Sequence, residues 1–362
     1  MARNCFRSSD SETRTQKRGT ETEKQQNLGS SQARERSKNV RLLSTFVALG
    51  IESSVGFSQI HDRPHMNTSA NHRAGLAPIS DVMASVQPWV QLAKPGVTRL
   101  VLVTTLFGGL VAPGSLPLWQ WGLTLLGTAL VVAAANALNM VYEADADALM
   151  TRTRDRPLPS GRLRKEPVVV ASFAALAIGL VGLLAVDLLA AALAFLAFAS
   201  YVWVYTPLKR TTPHALYVGA VPGAIPPLIG YASVTAGHLD AAAFMLFALL
   251  AVWQIPHFLA IAMFRRAEYE RAGFKVFTVC RPQREVRRLM LVWSALLFMV
   301  SLLPVGLGMG GTLYAAIAVG FGLPFLLGAA YGLRPSADDA WARSLFFASM
   351  PHLVVLFVGL AL

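Results

Sequence analysis

Charged residues and cysteines are both scarce in this sequence. Asp, Glu, Lys and Arg make up only 14% of its 362 residues, whereas a soluble globular domain contains about a quarter. The two cysteines, Cys5 and Cys280, are too few and too far apart for a disulfide framework or a cysteine-based metal site. The composition therefore excludes a disulfide-stabilised scaffold and a soluble globular enzyme.

Long runs of apolar residues dominate most of the sequence instead of charged residues. From about residue 97 onwards, apolar runs of near 20 residues recur, and each can cross a hydrocarbon core of about 30 Å. A membrane β-barrel would instead show short segments of alternating polarity. The sequence thus predicts an all-α, polytopic membrane helical bundle with about nine transmembrane helices: 97–113, 119–141, 168–186, 188–206, 214–236, 240–264, 289–308, 312–332 and 343–362. Glycines and prolines within 219–227 predict a broken or closely packed helix in the fifth of these.

Lys and Arg are absent from the loops after the first, third, fifth and seventh predicted spans. The loops after the second, fourth and sixth spans are rich in them, and this pattern explains the net charge of +12 without nucleic acid. Because basic loops stay on the cytoplasmic side, we expect the N-terminus and the charged loops there. We expect an integral protein of the bacterial inner (plasma) membrane; the mitochondrial inner membrane, with these loops in the matrix, is the less favoured alternative.

Residues 1–80 differ in kind from the membrane domain, which we place at 81–362. They are rich in Ser, Thr, Gln, Arg and Glu and have little apolar periodicity, which predicts a disordered extension. Four glutamates before residue 36 argue against a transit peptide, since such peptides are poor in acids. A start codon assigned too far upstream is an equal alternative, because Met66 and Met83 precede the first span.

An acidic row closes the second predicted span. Asn139, Glu143 and Asp147 are spaced by four residues, so on a helix they share one face, whereas Asp145 points elsewhere. Mg²⁺ typically binds one or two carboxylates together with substrate phosphate oxygens. Ionisable groups at membrane depth are usually functional, so the row predicts a metal site, although mutual pairing of charges at a helix end is the structural alternative.

Basic side chains follow the row. Arg152 and Arg156 are also four apart, and we expect them to share a face if the helix continues to Pro157. Guanidinium groups match phosphate oxygens bidentately, so row and arginines together suit a diphosphate. Lys94, before the first span, and Lys209 and Arg210, after the fourth, are candidates for the same anion, with membrane anchoring as the alternative.

Two further segments carry polar groups near the end of the sixth span. The segment 264–276 contains Glu268 and Glu270 among three arginines, on the same predicted membrane face as the acidic row. The segment WQIPHF contains Trp253, His257 and Phe258. A lone histidine in a membrane helix more often makes one hydrogen bond than binds a metal, so both segments are weak signals when taken alone.

From about residue 90 to its end, the chain resembles the UbiA superfamily of intramembrane prenyltransferases and, within it, the protoheme IX farnesyltransferases (heme O synthases). Asn139, Glu143 and Asp147 match the superfamily's first metal motif, with Glu143 where Asp is usual. The other matching motifs are Met150, Arg152, Thr153, Arg156, Pro157 and Leu158; Tyr205, Thr206, Lys209 and Arg210; Gly223 to Gly230; Trp253 to Phe258; and Glu268, Tyr269, Ala272 and Gly273. The residues 274–276 (FKV) depart from the apolar run usual at that point.

The resemblance implies an Mg²⁺-dependent enzyme that transfers farnesyl from farnesyl diphosphate to a vinyl group of heme b, giving heme O. It implies catalytic and metal roles for Asn139, Glu143, Asp147 and Glu268, and diphosphate binding by Lys94, Arg152, Arg156, Lys209 and Arg210. It also implies contacts to heme or the prenyl chain from Tyr205, Trp253, His257 and Phe258. The expected partners are the bilayer, the two substrates, and a heme A synthase or oxidase assembly protein, without nucleic acid.

Two alternatives stay open from the residues. One is a prenyltransferase acting on an aromatic ring such as 4-hydroxybenzoate, since the acidic motifs do not separate the two acceptors. The other is a secondary transporter, which is disfavoured because transporter sites lie near the bilayer centre whereas these acids lie at span ends.

Overall fold

The computed structural model describes residues 79–362, with side chains from residue 85. This part of the chain is helical, without strands. Apart from 79 and 80, which begin the first helix, the predicted extension lies outside the described residues, and its boundary stays a prediction. The helices are α1 (Ile79–Leu92), α2 (Pro95–Val111), α3 (Leu118–Ala148), α4 (Lys165–Leu184), α5 (Leu188–Ala199), a π-helix (Ser200–Tyr205), α6 (Thr206–Leu208), α7 (Ala215–Ala224), α8 (Pro226–Val234), α9 (Ala241–Phe264), α10 (Arg266–Arg271), α11 (Phe277–Cys280), α12 (Gln283–Gly306), α13 (Thr312–Tyr331) and α14 (Asp339–Ala361).

Within residues 79–362, eight helical stretches are long and apolar enough to cross a membrane. They correspond to the second to ninth predicted spans. The first predicted span is the apolar helix α2, whose 17 residues lie at the short end of the range for a spanning helix. The predicted all-α membrane bundle is therefore confirmed, with one short member.

Glycines let the helices α2 and α8 approach each other closely. A Cβ atom at Gly108 of α2 would overlap the carbonyl of Pro227, and one at Gly230 of α8 would overlap the carbonyl of Thr105. Small residues at such contacts are typical of membrane helices, where backbone approach replaces the hydrophobic effect. The contact fixes α2, and with it Lys94 just before its first residue, against the rest of the bundle.

The fifth span is broken, as predicted. Helix α7 ends at Ala224 and α8 begins at Pro226, because Pro226 and the proline after it have no N–H to donate to the preceding turn. The side chain of Gln254 crosses from α9 and donates its amide N–H to the Ala220 carbonyl at 3.1 Å. Gly223 leaves the space that this amide occupies.

The fourth span contains a π-helix that the sequence did not indicate. Its last turn is widened because the Tyr201 carbonyl accepts two bonds from Thr206, one from the backbone N–H and one from the hydroxyl at 2.8 Å. π-Helical turns are rare and are frequently found at functional sites. Here the turn carries Tyr201 and Tyr205 and directly precedes Lys209.

Candidate active site

The acidic row is buried at the C-terminal end of α3. Asn139, Glu143 and Asp147 are 1%, 5% and 1% exposed, and all three line one cavity, as their spacing predicted. Asp145 lies off this face, where it is exposed and pairs with Lys165 at 3.3 Å. The row is thus separated from the solvated end of the same helix.

Each carboxylate of the row pairs with a cationic side chain from another segment of the chain. Arg156 donates to Asp147 Oδ2 at 2.7 Å, and Lys209 forms an ion pair with Glu143. Buried carboxylates are strongly destabilising unless they are paired, so these partners allow the row to exist in the ligand-free protein.

Asn139 is held from both sides of its amide group. Lys94 Nζ donates to Asn139 Oδ1 at 2.7 Å, and Asn139 Nδ2 donates to Thr206 Oγ1 at 3.2 Å. Burial, together with the positive charges of Arg156 and Lys209, lowers the pKa of the Lys94 ammonium to about 7. An arriving anion would favour the charged form of this lysine.

The loop after α3 settles whether Arg152 and Arg156 share a helix face. That arrangement required the helix to continue towards Pro157, but it ends at Ala148. The Thr153 hydroxyl donates to the Asp147 carbonyl at 2.8 Å, and this bond replaces the backbone bond that a further helical turn would supply. The chain then turns back, so that Arg152 and Arg156 both line the cavity although they do not share a helix face.

The cavity brings most of the predicted residues together. Of these, it is lined by Lys94, Asn139, Glu143, Asp147, Arg152, Arg156, Tyr205, Lys209 and Phe258. Several residues that were not among the site predictions also belong to the site. Tyr201, Tyr269 and Phe274 line the cavity, and Thr206 orients Asn139. The spacing of Tyr201, Tyr205 and Lys209 by four residues was a signal for the first of them.

Four predicted site residues lie outside this cavity: Glu268, Arg210, Trp253 and His257. Glu268 on α10 accepts a hydrogen bond from Arg265 at 2.7 Å, within the same turn of chain. Arg210 is exposed and stacks over the ring of Tyr142 at 5.5 Å. Tyr269, the neighbour of Glu268, does reach the cavity.

Trp253 and His257 face α14 rather than the cavity. The Ser349 hydroxyl donates to the Phe346 carbonyl at 2.6 Å, so it accepts from His257 Nδ1 at 2.7 Å. Trp253 Nε1 donates to the Ser349 carbonyl at 2.8 Å. The imidazole is stacked between the rings of Trp253 and Phe346, which makes this cluster a connection between α9 and α14.

An apolar pocket adjoins the charged cavity and shares Tyr201 with it. Its wall is formed almost wholly by small and aliphatic side chains of α2, α3, α5, α7 and α8, with Val101, Val131, Ala194 and Ile229 among them. A ligand with a charged head and a long apolar tail matches this pair of cavities.

The donor set of the row fits a hard divalent cation. It offers two carboxylates and an amide oxygen on one helix face, and Mg²⁺ completes such a set with water and substrate phosphate oxygens. Within residues 79–362, no group of three or more His, Cys, Asp or Glu side chains is placed to hold a metal alone. The row therefore suits an ion that arrives with a phosphate ligand.

Comparison with known proteins places the chain in a family. The model of the UbiA prenyltransferase family matches residues 101–350. The protoheme IX farnesyltransferase of Sorangium cellulosum is 49% identical over 250 residues, which cover 68% of this chain and 88% of the relative. That of Anaeromyxobacter dehalogenans is 44% identical over 296 residues, which cover 82% of this chain and 99% of the relative.

Solved structures agree at the level of the fold. A digeranylgeranylglyceryl phosphate synthase superposes with a TM-score of 0.65 at 16% identity, covering 77% of this chain and 98% of that protein. A UbiA homologue from Aeropyrum pernix K1 superposes with a TM-score of 0.62 at 16% identity, covering 72% and 96%. The chain belongs to the UbiA prenyltransferase family, and to the branch whose members are named protoheme IX farnesyltransferase.

Proposed function

We propose that this prenyltransferase transfers the farnesyl group of farnesyl diphosphate to the 2-vinyl group of heme b and so forms heme O. The observation that supports this proposal is a buried row of one amide and two carboxylates that faces three cationic side chains across one cavity. The row is Asn139, Glu143 and Asp147, and the cations are Lys94, Arg156 and Lys209. The names of the relatives, at 40–49% identity over most of the chain, support the acceptor.

The row is the proposed metal site. Asn139, Glu143 and Asp147 would hold Mg²⁺, which supplies positive charge to the diphosphate oxygens as the bond to carbon breaks. A UbiA homologue from Archaeoglobus fulgidus, which superposes with a TM-score of 0.52, has been solved with GPP and Mg²⁺. We retain Glu268 as a candidate ligand of a second ion; this role requires Glu268 to leave Arg265.

The cations around the row bind and orient the diphosphate. Arg156 and Lys209 are already directed at the carboxylates, and Arg152 lines the cavity without an ion pair among the described residues. Lys94 adds a fourth donor from the start of α2. Arg210 is proposed to bind only after its side chain leaves the ring of Tyr142.

The reaction then follows from charge and water exclusion. The allylic C–O bond breaks and its electron pair leaves with the diphosphate, which the surrounding cations stabilise. The farnesyl tail lies in the apolar pocket, where water is excluded and cannot hydrolyse the allylic cation. The vinyl group of heme attacks this cation, water adds to the resulting porphyrin-side cation, and one proton is released to solvent.

The heme acceptor is proposed to approach from the side of the cavity lined by Phe258 and Tyr205. Trp253 and His257, which we expected to contact substrate, are assigned a supporting part. They hold α9 against α14 and so position Phe258, which follows His257 in the chain.

The experiment uses the purified protein in lipid nanodiscs with farnesyl diphosphate, Mg²⁺, and equal amounts of heme b and 4-hydroxybenzoate. Mass spectrometry should find heme O and no prenylated benzoate. Prenylation of the benzoate alone would overturn the proposed acceptor, and consumption of neither acceptor would overturn the proposed reaction.

We also propose that the active-site loops face the cytoplasm across a bacterial inner membrane, on the distribution of basic residues alone. Cysteines introduced at the exposed Arg154 and at Leu118 in a Cys5→Ser, Cys280→Ser background should be labelled from opposite faces of membrane vesicles. Labelling of both from one face would contradict the orientation. A heme A synthase or oxidase assembly protein stays a predicted partner, and its co-purification with the intact membrane protein is the corresponding test.

A further inference from the structure

Lys275 lines the charged cavity but has no acidic partner among the described residues. Because the residue is exposed, it lies at the mouth of the cavity rather than beside the buried row. Lys209, on the same wall, pairs with Glu143, whereas no carboxylate in the part of the chain that the structure describes pairs with Lys275. Lys275 is also the charged residue of the FKV segment, where the chain departs from the apolar run of the proteins it resembles.

Backbone and side-chain bonds fix the segment that carries Lys275. The N–H of Lys275 donates to the Lys209 carbonyl at 2.9 Å, and the Thr278 hydroxyl donates to the Ala262 carbonyl of α9 at 3.0 Å. Ala262 lies one helical turn after Phe258, so the segment borders the side of the cavity from which heme is proposed to approach. The chain thus keeps two lysines side by side although like charges repel, and a bound anion would offset this cost.

The diphosphate does not require the charge of this lysine. Lys94, Arg152, Arg156 and Lys209 already line the cavity as four cations, and Mg²⁺ adds its own charge. Together these charges exceed the negative charge of a diphosphate and the two carboxylates of the row. A second anionic group, located at the mouth, is therefore the better match for Lys275.

We propose that Lys275 binds a propionate of heme b at the mouth of the cavity. The inference rests on the proposed function and deepens it by naming a residue that selects the acceptor. The propionates lie on the porphyrin edge opposite the vinyl groups, so a heme whose vinyl group points towards the buried row has its propionates at the mouth. A carboxylate at the mouth keeps much of its hydration, and the ammonium gives it a charge-assisted hydrogen bond.

The cavity wall near Lys275 also offers apolar surface for a porphyrin. Phe258 and Phe277 line the cavity together with aliphatic side chains of α9. The ring of Phe277 is buried and packs edge-on against Tyr217, with 5.7 Å between the ring centres and 63° between the ring planes. Large rigid aromatic surfaces suit a flat apolar ligand, so one heme would contact these rings with its macrocycle and Lys275 with its acidic edge.

The first test combines a variant with a modified heme. Lys275→Met removes the charge and keeps a long apolar side chain, and the dimethyl ester of heme b removes the charge of both propionates. In nanodiscs, with empty nanodiscs as the blank, titration of the Soret band should show that Lys275→Met binds heme b about tenfold more weakly than wild type. Both proteins should bind the ester equally, and Lys275→Arg should bind heme b within about twofold of wild type. An unchanged affinity of Lys275→Met for heme b would overturn the proposal, and so would an equal loss with the ester.

The second test separates the heme from the diphosphate by steady-state kinetics. In Lys275→Met, the apparent KM for heme b should rise about tenfold, and that for farnesyl diphosphate should stay within about twofold of wild type. The matched control is Lys165→Met, which replaces an exposed lysine that pairs with Asp145 and should leave both values unchanged. A rise confined to the KM for farnesyl diphosphate would assign Lys275 to the diphosphate and overturn the proposal.

The outcomes also separate this inference from the proposed function. If wild type forms heme O but loss of the Lys275 charge leaves heme affinity unchanged, the inference fails while the proposed function stands. If wild type forms no heme O, the proposed function fails, and the Soret titration still decides whether the charge of Lys275 binds the propionates.

Discussion

The acidic row at the end of α3 and the acidic residues of α10 both follow an apolar span, but their surroundings differ. Glu143 and Asp147 are buried, and their cationic partners come from other segments of the chain. Glu268 is partly accessible and pairs with Arg265, three residues before it. The first arrangement exists only in the folded bundle, whereas the second is available to any short helix.

The difference indicates which of the two acidic clusters is the ligand site. Burying a carboxylate costs several kcal/mol before pairing, and a solvated position was available on another face of the same helix, where Asp145, two residues from Glu143 and from Asp147, lies exposed. A buried row with matched cations is therefore weak evidence for stability and good evidence for a ligand site. The following predictions test this contrast in order of decreasing effect.

Asp147→Asn should have the largest effect. The substitution keeps the shape and removes one of the two negative charges of the row, so we expect kcat for heme O formation to fall by about 10²–10³ at saturating Mg²⁺. The matched control is Asp145→Asn, which changes an exposed carboxylate two residues away and should keep wild-type turnover. Near-wild-type kcat for Asp147→Asn would remove this residue from the metal role.

Arg156→Ala should act on substrate binding. A charge-assisted hydrogen bond contributes about 1.5–3 kcal/mol, so the apparent KM for farnesyl diphosphate should rise about 10- to 100-fold. Heme affinity, followed by the Soret band, should change little. Arg154→Ala, an exposed neighbour that pairs only with Asp155 among the described residues, should leave both quantities unchanged; an equal rise in KM in the two variants would indicate a general loop effect.

Glu268→Gln should have a smaller effect than Asp147→Asn, with a loss in kcat of about tenfold or less. Glu268 lies outside the cavity and already has Arg265 as a partner, so its charge acts on the diphosphate from further away. Glu270→Gln, on the same short helix, is the control and should behave as wild type. A loss in kcat as large as that of Asp147→Asn would mean that the two acidic clusters contribute equally to catalysis.

Gly273→Ala should have the smallest effect. Gly273 has a φ of +71° in the turn before Phe274, with open space around it, so the substitution costs only backbone strain of roughly 1–2 kcal/mol. We expect a slightly lower unfolding temperature in detergent and a kcat within a fewfold of wild type. Gly122→Ala, a helical glycine also without neighbours, should not lower stability.

The sequence predicted those features that depend on local periodicity. The apolar runs gave the spans, and the spacing of four placed Asn139, Glu143 and Asp147 on one face, because a helix repeats every 3.6 residues. The sequence left open whether α3 continues past the row, because the bond from Thr153 to the Asp147 carbonyl is a side-chain competition that a periodic pattern does not contain.

The partners within the site depended on tertiary structure. Nothing in the sequence pairs Lys94 with Asn139 or Lys209 with Glu143, since these residues are brought together by packing of α2 and the π-helical turn against α3. His257 seemed a substrate contact because its motif resembles that of the family, but the direction of its ring is set by Ser349 on α14, 92 residues away in the chain.

The most direct test of the central claim measures whether the metal and the diphosphate bind together at the acidic row. Mn²⁺ can replace Mg²⁺ as the spectroscopic probe, with a non-hydrolysable farnesyl thiodiphosphate as ligand, and binding is followed by electron paramagnetic resonance in the nanodisc-embedded protein. Wild type and Asp145→Asn should bind Mn²⁺ when the thiodiphosphate is present, and Asp147→Asn should lose this binding. Retention of wild-type Mn²⁺ affinity by Asp147→Asn would contradict the assignment of the acidic row as the metal and diphosphate site.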